Sequence, residues 1–599
     1  ATNAHGLATF NLNVFNVKVD EARVGNLRIA EANVDLLGLH DNSDRADISL
    51  TVTGSVADQM MLLDHEPLRY MQRLNIKGNE AGGRATTRAR FMFPLFGDLP
   101  VELVAISAGA NLTDVSIPSI VMGQGLSKGN LTLTLDGGGM KISGTGNIGP
   151  APATFSWQET FVNDVSPATE LTFSGDMDEE ARKAFRVSWT DVLRDTVGVN
   201  GTYRKDRGQP ARLEAALDLT KSTLELPWFA WLKPPGQAAQ GNVAVTIDRN
   251  AVKEVSSFRL SGSGANARGR VNFAEGSQWS KVVLDRISVP GTDLSGSVAR
   301  LPGGPGFALD FKGASADIRG IYEPREQAAA DAASTTDNAA AATRSVLPMD
   351  IRFNIKQVTT GAGRTLTNAV GRLVRSNLGW RQIELDGRLE NDVPVRLRLV
   401  PTATGREMSI TTQNAGSMLS TLRLMDNIHG GTLAVVGKGQ GAAGPIEATA
   451  DMRNFLYLQP QTLRRIAEAA SPEGADVLAR GEGIEFTRLK ARFFYNEDSI
   501  EVTESRMASN VLGLTMTGRV DLLQSRLDMN GTLVPLYGIN SAVGGIPILG
   551  WLLTGGEGGG IFAATYSVKG PLTSPSTSVN PLAMLAPGFL RNILFMGGD

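Results

Sequence analysis

Apolar and polar residues alternate one by one along most of this 599-residue chain, and no other feature constrains the fold as strongly. A period of two is the signature of a strand with one face covered and one face wet. Leu131, Leu133 and Leu135 alternate with threonines and run into Asp136 and Gly137, a hairpin signal; Met140 and Ile142 resume the pattern. Val243, Val245 and Ile247 repeat it, as do Ile351, Phe353 and Ile355. Val395, Leu397 and Leu399 share one face while Arg396 and Arg398 take the other. Near the end Leu512, Leu514 and Met516, then Leu527 and Met529, continue the scheme. Such stretches recur about every 10 to 14 residues between Gly, Asn, Asp and Ser turns, which predicts an all-β chain of roughly 40 strands.

One apolar face per strand suits an antiparallel sheet wetted on one side. A sandwich or barrel would bury that face against itself, whereas a single long sheet needs a roof. Helices are expected only at residues 60–74, 178–185, 417–425 and 461–470, too few to roof so many strands. Residues 326–345 are rich in Ala, Ser, Thr and Asp, carry no large apolar side chain and read as a disordered linker, with an Ala-rich helix as the alternative. They divide the chain into segments 1–325 and 346–599.

The stretch 533–553 lies in an uncharged window long enough for a membrane span. Gly538, Gly544, Gly545, Pro547 and Gly550 break it, and Asn540 and Ser541 place polar groups near its middle. It reads as an apolar excursion from a sheet with Ile546, Ile548, Leu549, Trp551, Leu552 and Leu553 at its tip, or else as a buried core loop. In the last segment Leu585, Phe589 and Ile593 recur at helical spacing with Arg591 as the one charge. Both pieces suit shallow insertion at a membrane surface or a cap over the end of a sheet.

The net charge of −3 leaves no electrostatic footprint for nucleic acid. There is no cysteine, which hints at an oxidising compartment and removes thiol chemistry. The four histidines, His5, His40, His65 and His429, are scattered, so no metal site is expected. Two matches to a dinucleotide fingerprint, at Gly144, Gly146 and Gly149 and at Gly439, Gly441 and Gly444, are followed by strands, while the fingerprint requires a helix. They read as turns. No nucleophile elbow is present, so neither a catalytic residue nor a cofactor is expected. Trp228 and Trp231 read as plugs at a sheet end or as interfacial anchors.

Several long stretches carry a resemblance: LDHEPLRYMQRLNI (63–76), FMFPLFGDLP (91–100), residues 116–157, NAGSMLSTLRLMDNIHGGTLAVVG (414–437) and IEFTRLKARFFYNEDSIEV (484–502). With GTLVPLYGINSAVGGIPILGWLL and GIFAATYSVKGPLTSPSTSVNP near the end, they make the chain resemble the AsmA-like superfamily of Gram-negative envelope proteins, specifically its long YhdP-type members. The resemblance implies a very long twisted antiparallel sheet folded lengthwise into an open apolar groove. Phospholipid acyl chains would slide along it between the inner and outer membranes, with Leu131, Leu133, Leu135, Val395, Leu397, Leu399, Leu512, Leu514 and Met516 among the lining. It implies a periplasmic location, with an inner-membrane anchor upstream of Ala1, and assigns the apolar C-terminal end to the outer membrane. A scaffold or chaperone for outer-membrane proteins, using an open sheet edge for strand addition, is the competing function. A β-solenoid would show a stricter short repeat, and none is found.

Overall fold

The computed structural model describes residues 2–580 apart from 41–43, 65–79, 96–98, 101–102, 122, 163, 186, 188, 191, 249–250, 275–277, 321–346, 362, 459–482, 510–511, 536–563 and 573–574. The all-β class with a few short helices is what it contains. Among the described residues there are 34 strands, of which 31 join edge to edge in one sheet and three short ones form a second. The large sheet is open among the described residues: Thr2–Phe10 pairs on one side only, as does Ser576–Asn580 at the other end.

Among the described pairings the sheet departs from the expected antiparallel pattern at one place. Phe307–Asp317 and Met349–Gly361 run parallel, with Phe307 opposite Met349 and Leu309 opposite Ile351. Parallel neighbours need a connection of a dozen or more residues, and 318–348 separate these two strands in the sequence. The expected linker at 326–345 falls inside this stretch and outside the described residues. The strands on either side of it pair directly.

Two compact units are present, one of Ala1–Leu226 with Leu232–Asp285 and one of Pro227–Trp231 with Arg286–Asp599. In the first unit antiparallel pairing sends successive connections to alternate margins of the sheet. The strand ends that flank its long connections 56–81 and 178–196 fall on one margin, and the other margin carries shorter turns. In the second unit the strand ends that flank residues 413–427, 458–483 and 536–563 likewise share a margin.

Local capping decides where the helices lie. The helix expected at 60–74 begins earlier, as Val56–Asp64, because Ser55 caps it: the Asp58 amide donates to Ser55 Oγ at 3.0 Å. The remainder of that expectation, from residue 65, lies outside the described residues. Glu179–Ala184 matches its expectation, with Asp178 accepting the Ala181 amide at 2.8 Å. The helix expected at 417–425 is Ala415–Thr421, shifted because Asn414 accepts the Ser417 amide at 2.9 Å and starts the helix there. The fourth expected helix, 461–470, lies outside the described residues.

Candidate functional site

Register carries the alternation across strands. In the first unit Leu133 stands opposite Ala110 and Ile142, Ile142 opposite Trp157, and Trp157 opposite Leu171. The row continues through Tyr203, Leu213, Val245, Val255 and Val271. Ten strands therefore contribute one apolar side chain each, and the row extends about 43 Å at ordinary strand spacing. From Leu133 to Val271 every member is only half-buried, so protein shelters this row without covering it. The second unit has its own row: Val298, Leu309, Ile351, Leu373, Ile383, Leu399 and Met408, then Gly437, Ala448, Phe493, Val502, Gly518, Met529 and Val568.

Most of the expected lining positions lie on this face. Leu131 is buried and Leu133 and Leu135 are half-buried, while Thr132 and Thr134 between them are exposed. Val395 and Leu399 are buried, Leu397 is half-buried and Arg396 is exposed. Leu514 is buried and Met516 half-buried. Leu512 pairs with Pro535 through its backbone; its side chain is not among those described. The expected membrane-contacting residues, Ile546, Ile548, Leu549, Trp551, Leu552, Leu553, Leu585, Phe589 and Ile593, all lie outside the described residues. Of the two tryptophans, Trp231 is buried as a plug would be, and Trp228 is exposed.

The opposite face is polar and paired. Asp386 accepts Arg396 Nε at 3.0 Å and also pairs with Arg398. Burial works to raise the Asp386 pKa, but the two guanidiniums lower it on balance. Asp451 is held far below the usual carboxylate range by hydrogen bonds from Arg453 and Arg488. Arg372 with Asp350, Arg204 with Glu170 and Lys569 with Asp528 repeat the motif. Such pairs on exposed strands add little stability each, and they keep this face wet.

A tie spanning many strands was not foreseeable from local pattern. Glu497, in the turn after Ile484–Tyr495, accepts the Trp380 amide at 2.7 Å and pairs with Arg375 Nη2 at 3.4 Å. Trp380 belongs to Gly379–Arg388, five ladder steps away, which would be about 24 Å in a flat sheet. Arg406, buried between them, donates Nη1 to the Trp380 carbonyl at 2.6 Å and Nη2 to the Gly444 carbonyl at 2.5 Å. This margin of the second unit is therefore curled, its hairpin turns gathered together. At the opposite margin the Thr360 hydroxyl donates to the Thr421 carbonyl at 2.6 Å, anchoring helix Ala415–Thr421 over the strand ends.

In the first unit, helix Val56–Asp64 packs Val56 and Met60 onto a cluster with Val115, Leu126, Leu131 and Phe155. Two buried cations nearby serve structure. Lys233 gives its Nζ hydrogens to the carbonyls of Ser222, Thr220 and Pro234, and burial lowers its pKa. Arg182 donates to the Asp195, Leu193 and Met177 carbonyls. Among the described residues no cluster of three His, Cys, Asp or Glu side chains is placed to hold a metal ion, and no helix is long and apolar enough to cross a membrane. Both fingerprint stretches are strand ends and turns, with Gly149 and Gly441 in the left-handed region at φ +57° and +66°. Compared with known protein families and with curated proteins, the chain matches none.

Proposed function

We propose that the chain carries phospholipid acyl chains along its apolar face, as one length of a bridge between two membranes of a Gram-negative envelope. The observation that carries this reading is the half-exposed apolar row that nine successive strands of the first unit make from Leu133 to Val271, with a second row, interrupted by Gly437 and Gly518, in the second unit, and charged, paired residues on the opposite face of each. Water against so many Leu, Ile, Val and aromatic side chains is costly, at about 25 cal/mol per Å² of apolar surface. Lipid tails remove that cost, and the sheet in turn shields tails that would lose about 0.8 kcal/mol per methylene on entering water. The reading also agrees with the resemblance to the AsmA-like superfamily. It requires no catalytic group and leaves the energy for directional flow to other components.

A charge on the apolar face tests it. Leu133→Asp combined with Leu397→Lys places one desolvated charge in each unit, and passing an acyl chain over either costs on the order of several kcal/mol. Transfer of labelled phosphatidylethanolamine between donor and acceptor vesicles by the full chain should stop, with far-UV circular dichroism unchanged. Undiminished transfer by the folded double variant would contradict conduction along this face. A scaffold acting through strand addition would be indifferent to both charges and would bind extended peptides instead.

A further inference from the structure

Five aromatic side chains on the apolar face lay their rings over the glycines opposite them in register: Phe173 over Gly201, Phe258 over Gly269, Phe311 over Gly296, Phe353 over Gly371 and Tyr566 over Gly531. In each pair the ring reaches over the glycine. A Cβ built on Gly201 would lie 2.8 Å from Phe173 Cε1, one on Gly371 2.5 Å from Phe353 Cζ, and one on Gly531 2.6 Å from Tyr566 Cζ. The corresponding distances are 2.9 Å from Gly269 to Phe258 Cζ and 2.7 Å from Gly296 to Phe311 Cδ1. Tyr566 shows how flat such a ring lies: its hydroxyl crosses the whole strand Arg526–Pro535 and donates to the Thr515 carbonyl at 2.9 Å. The four phenylalanines are half-buried, so their upper surfaces stay open to an occupant.

We infer that these glycines set the depth of the apolar face, by letting rings lie down on the neighbouring strand where they would otherwise stand up from the sheet. Aromatic rings laid over glycine are a known device for stabilising strand pairs. Here the same device leaves a low, smooth floor on the face argued to hold acyl chains, so the inference rests on that reading and adds a determinant of what fits. Any side chain at the glycine lifts the ring into the path. At Gly269, Gly296, Gly371 and Gly531 a backbone carbonyl also closes in on the would-be Cβ, so substitution there moves the strand itself. At Gly201 the three nearest atoms all belong to the Phe173 ring, which can move. Gly201 is therefore the position at which ring height alone is varied.

The test uses the full chain with vesicles of phosphatidylglycerol and phosphatidylethanolamine, a fraction of the latter carrying a diazirine in one acyl chain. After irradiation, lipid attached to peptides from Thr169–Met177 and Val197–Lys205 is quantified by mass spectrometry. Gly201→Ala should lose more than half of the capture. Gly201→Ala combined with Phe173→Ala should recover it, and Phe173→Ala alone should capture at least as much as the parent chain. Gly109→Ala, on the opposite face where a Cβ would meet nothing nearer than the Leu133 carbonyl at 3.9 Å, should change nothing. Equal capture by Gly201→Ala and the parent, or a double variant as poor as the single, overturns the inference and leaves the lipid reading standing. No capture by the parent chain overturns both.

Discussion

The two units use the same alternation and cover the resulting apolar face to different extents. In the first, many of the fully sheltered positions are alanines, such as Ala22, Ala46, Ala211, Ala239 and Ala265, while Ile142, Trp157 and Leu171 in the central row stay half-exposed. In the second, Ile351, Leu373 and Ile383 of the row are half-buried too, but some larger side chains disappear completely: Ile446 and Leu533 are 0% exposed, and Phe486, stacked on Phe455 at 5.4 Å, is 2% exposed. Each unit has a helix packed at its strand ends, Val56–Asp64 in the first and Ala415–Thr421 in the second, and the second unit adds the five-step tie through Glu497. Alternation thus decides which face is apolar, and long-range ties decide how much of it the protein covers itself.

Placing one charge in each unit should separate them most. Ile446→Asp buries an unpaired carboxylate and should cost upwards of about 4 kcal/mol, enough to lose the second unit's cooperative melt in far-UV circular dichroism. Leu171→Asp, on the half-exposed row, should leave the first unit's melting nearly unchanged. Equal damage from both would mean that the first unit's row is as closed as the second's interior.

Truncations should show the same contrast on a smaller scale. Leu533→Ala should destabilise by about 3 kcal/mol, since it empties a fully packed site. Leu171→Ala should lose about 1 kcal/mol, since only part of its surface is out of water. Urea unfolding of the two variants measures the gap, and the contrast fails if Leu171→Ala is the costlier.

How much of this was legible in the sequence follows from the range of each interaction. The faces were readable because neighbours two apart on one strand share them, and Leu131 to Leu135 and Val395 to Leu399 lie as their spacing predicts. Helix starts were partly readable: Ser55 with Asp58, and Asn414 with Ser417, are capping signals that a search for apolar periodicity passes over. Strand direction was not readable, because nothing local distinguishes Met349–Gly361 as a parallel partner from an antiparallel one. The glycine and aromatic pairs needed register, since Phe173 and Gly201 meet only when their strands are aligned. Glu497 and Trp380, 117 residues apart, carry no shared motif at all.

That tie gives a further way to sharpen the contrast. Glu497→Gln keeps an acceptor for the Trp380 amide but loses the charge opposite Arg375, and the site is partly exposed, so the loss should stay below about 1 kcal/mol. Its effect should be local: faster protease cleavage at the turn near Leu378 without a change in the first unit's cleavage pattern. An unchanged cleavage rate would mean the curl is held by Arg406 and packing alone.

The smallest expected effect is a response to acid. Asp451 is ionised in the folded chain well below its ordinary range, so its pairing with Arg453 and Arg488 adds stability above the unfolded carboxylate value near 4. That contribution is lost as pH falls from there toward the depressed folded value. Asp451→Asn should therefore flatten the acid limb of the second unit's melting temperature between about pH 4 and pH 2 and leave the neutral range almost unchanged. An acid limb as steep as that of the parent would remove Asp451 from the account.

If one face of the sheet meets lipid and the other meets water, the two faces must differ in what they capture. Photoreactive amino acids placed singly at Leu133, Leu171, Ile351 and Leu397, and at Thr132, Thr172, Arg352 and Arg396 as their polar-face neighbours, test it directly in the full chain exposed to phospholipid vesicles. Phospholipid adducts are expected from the four apolar positions and none above background from the other four. Adducts in equal yield from both sets, or from neither, would contradict it.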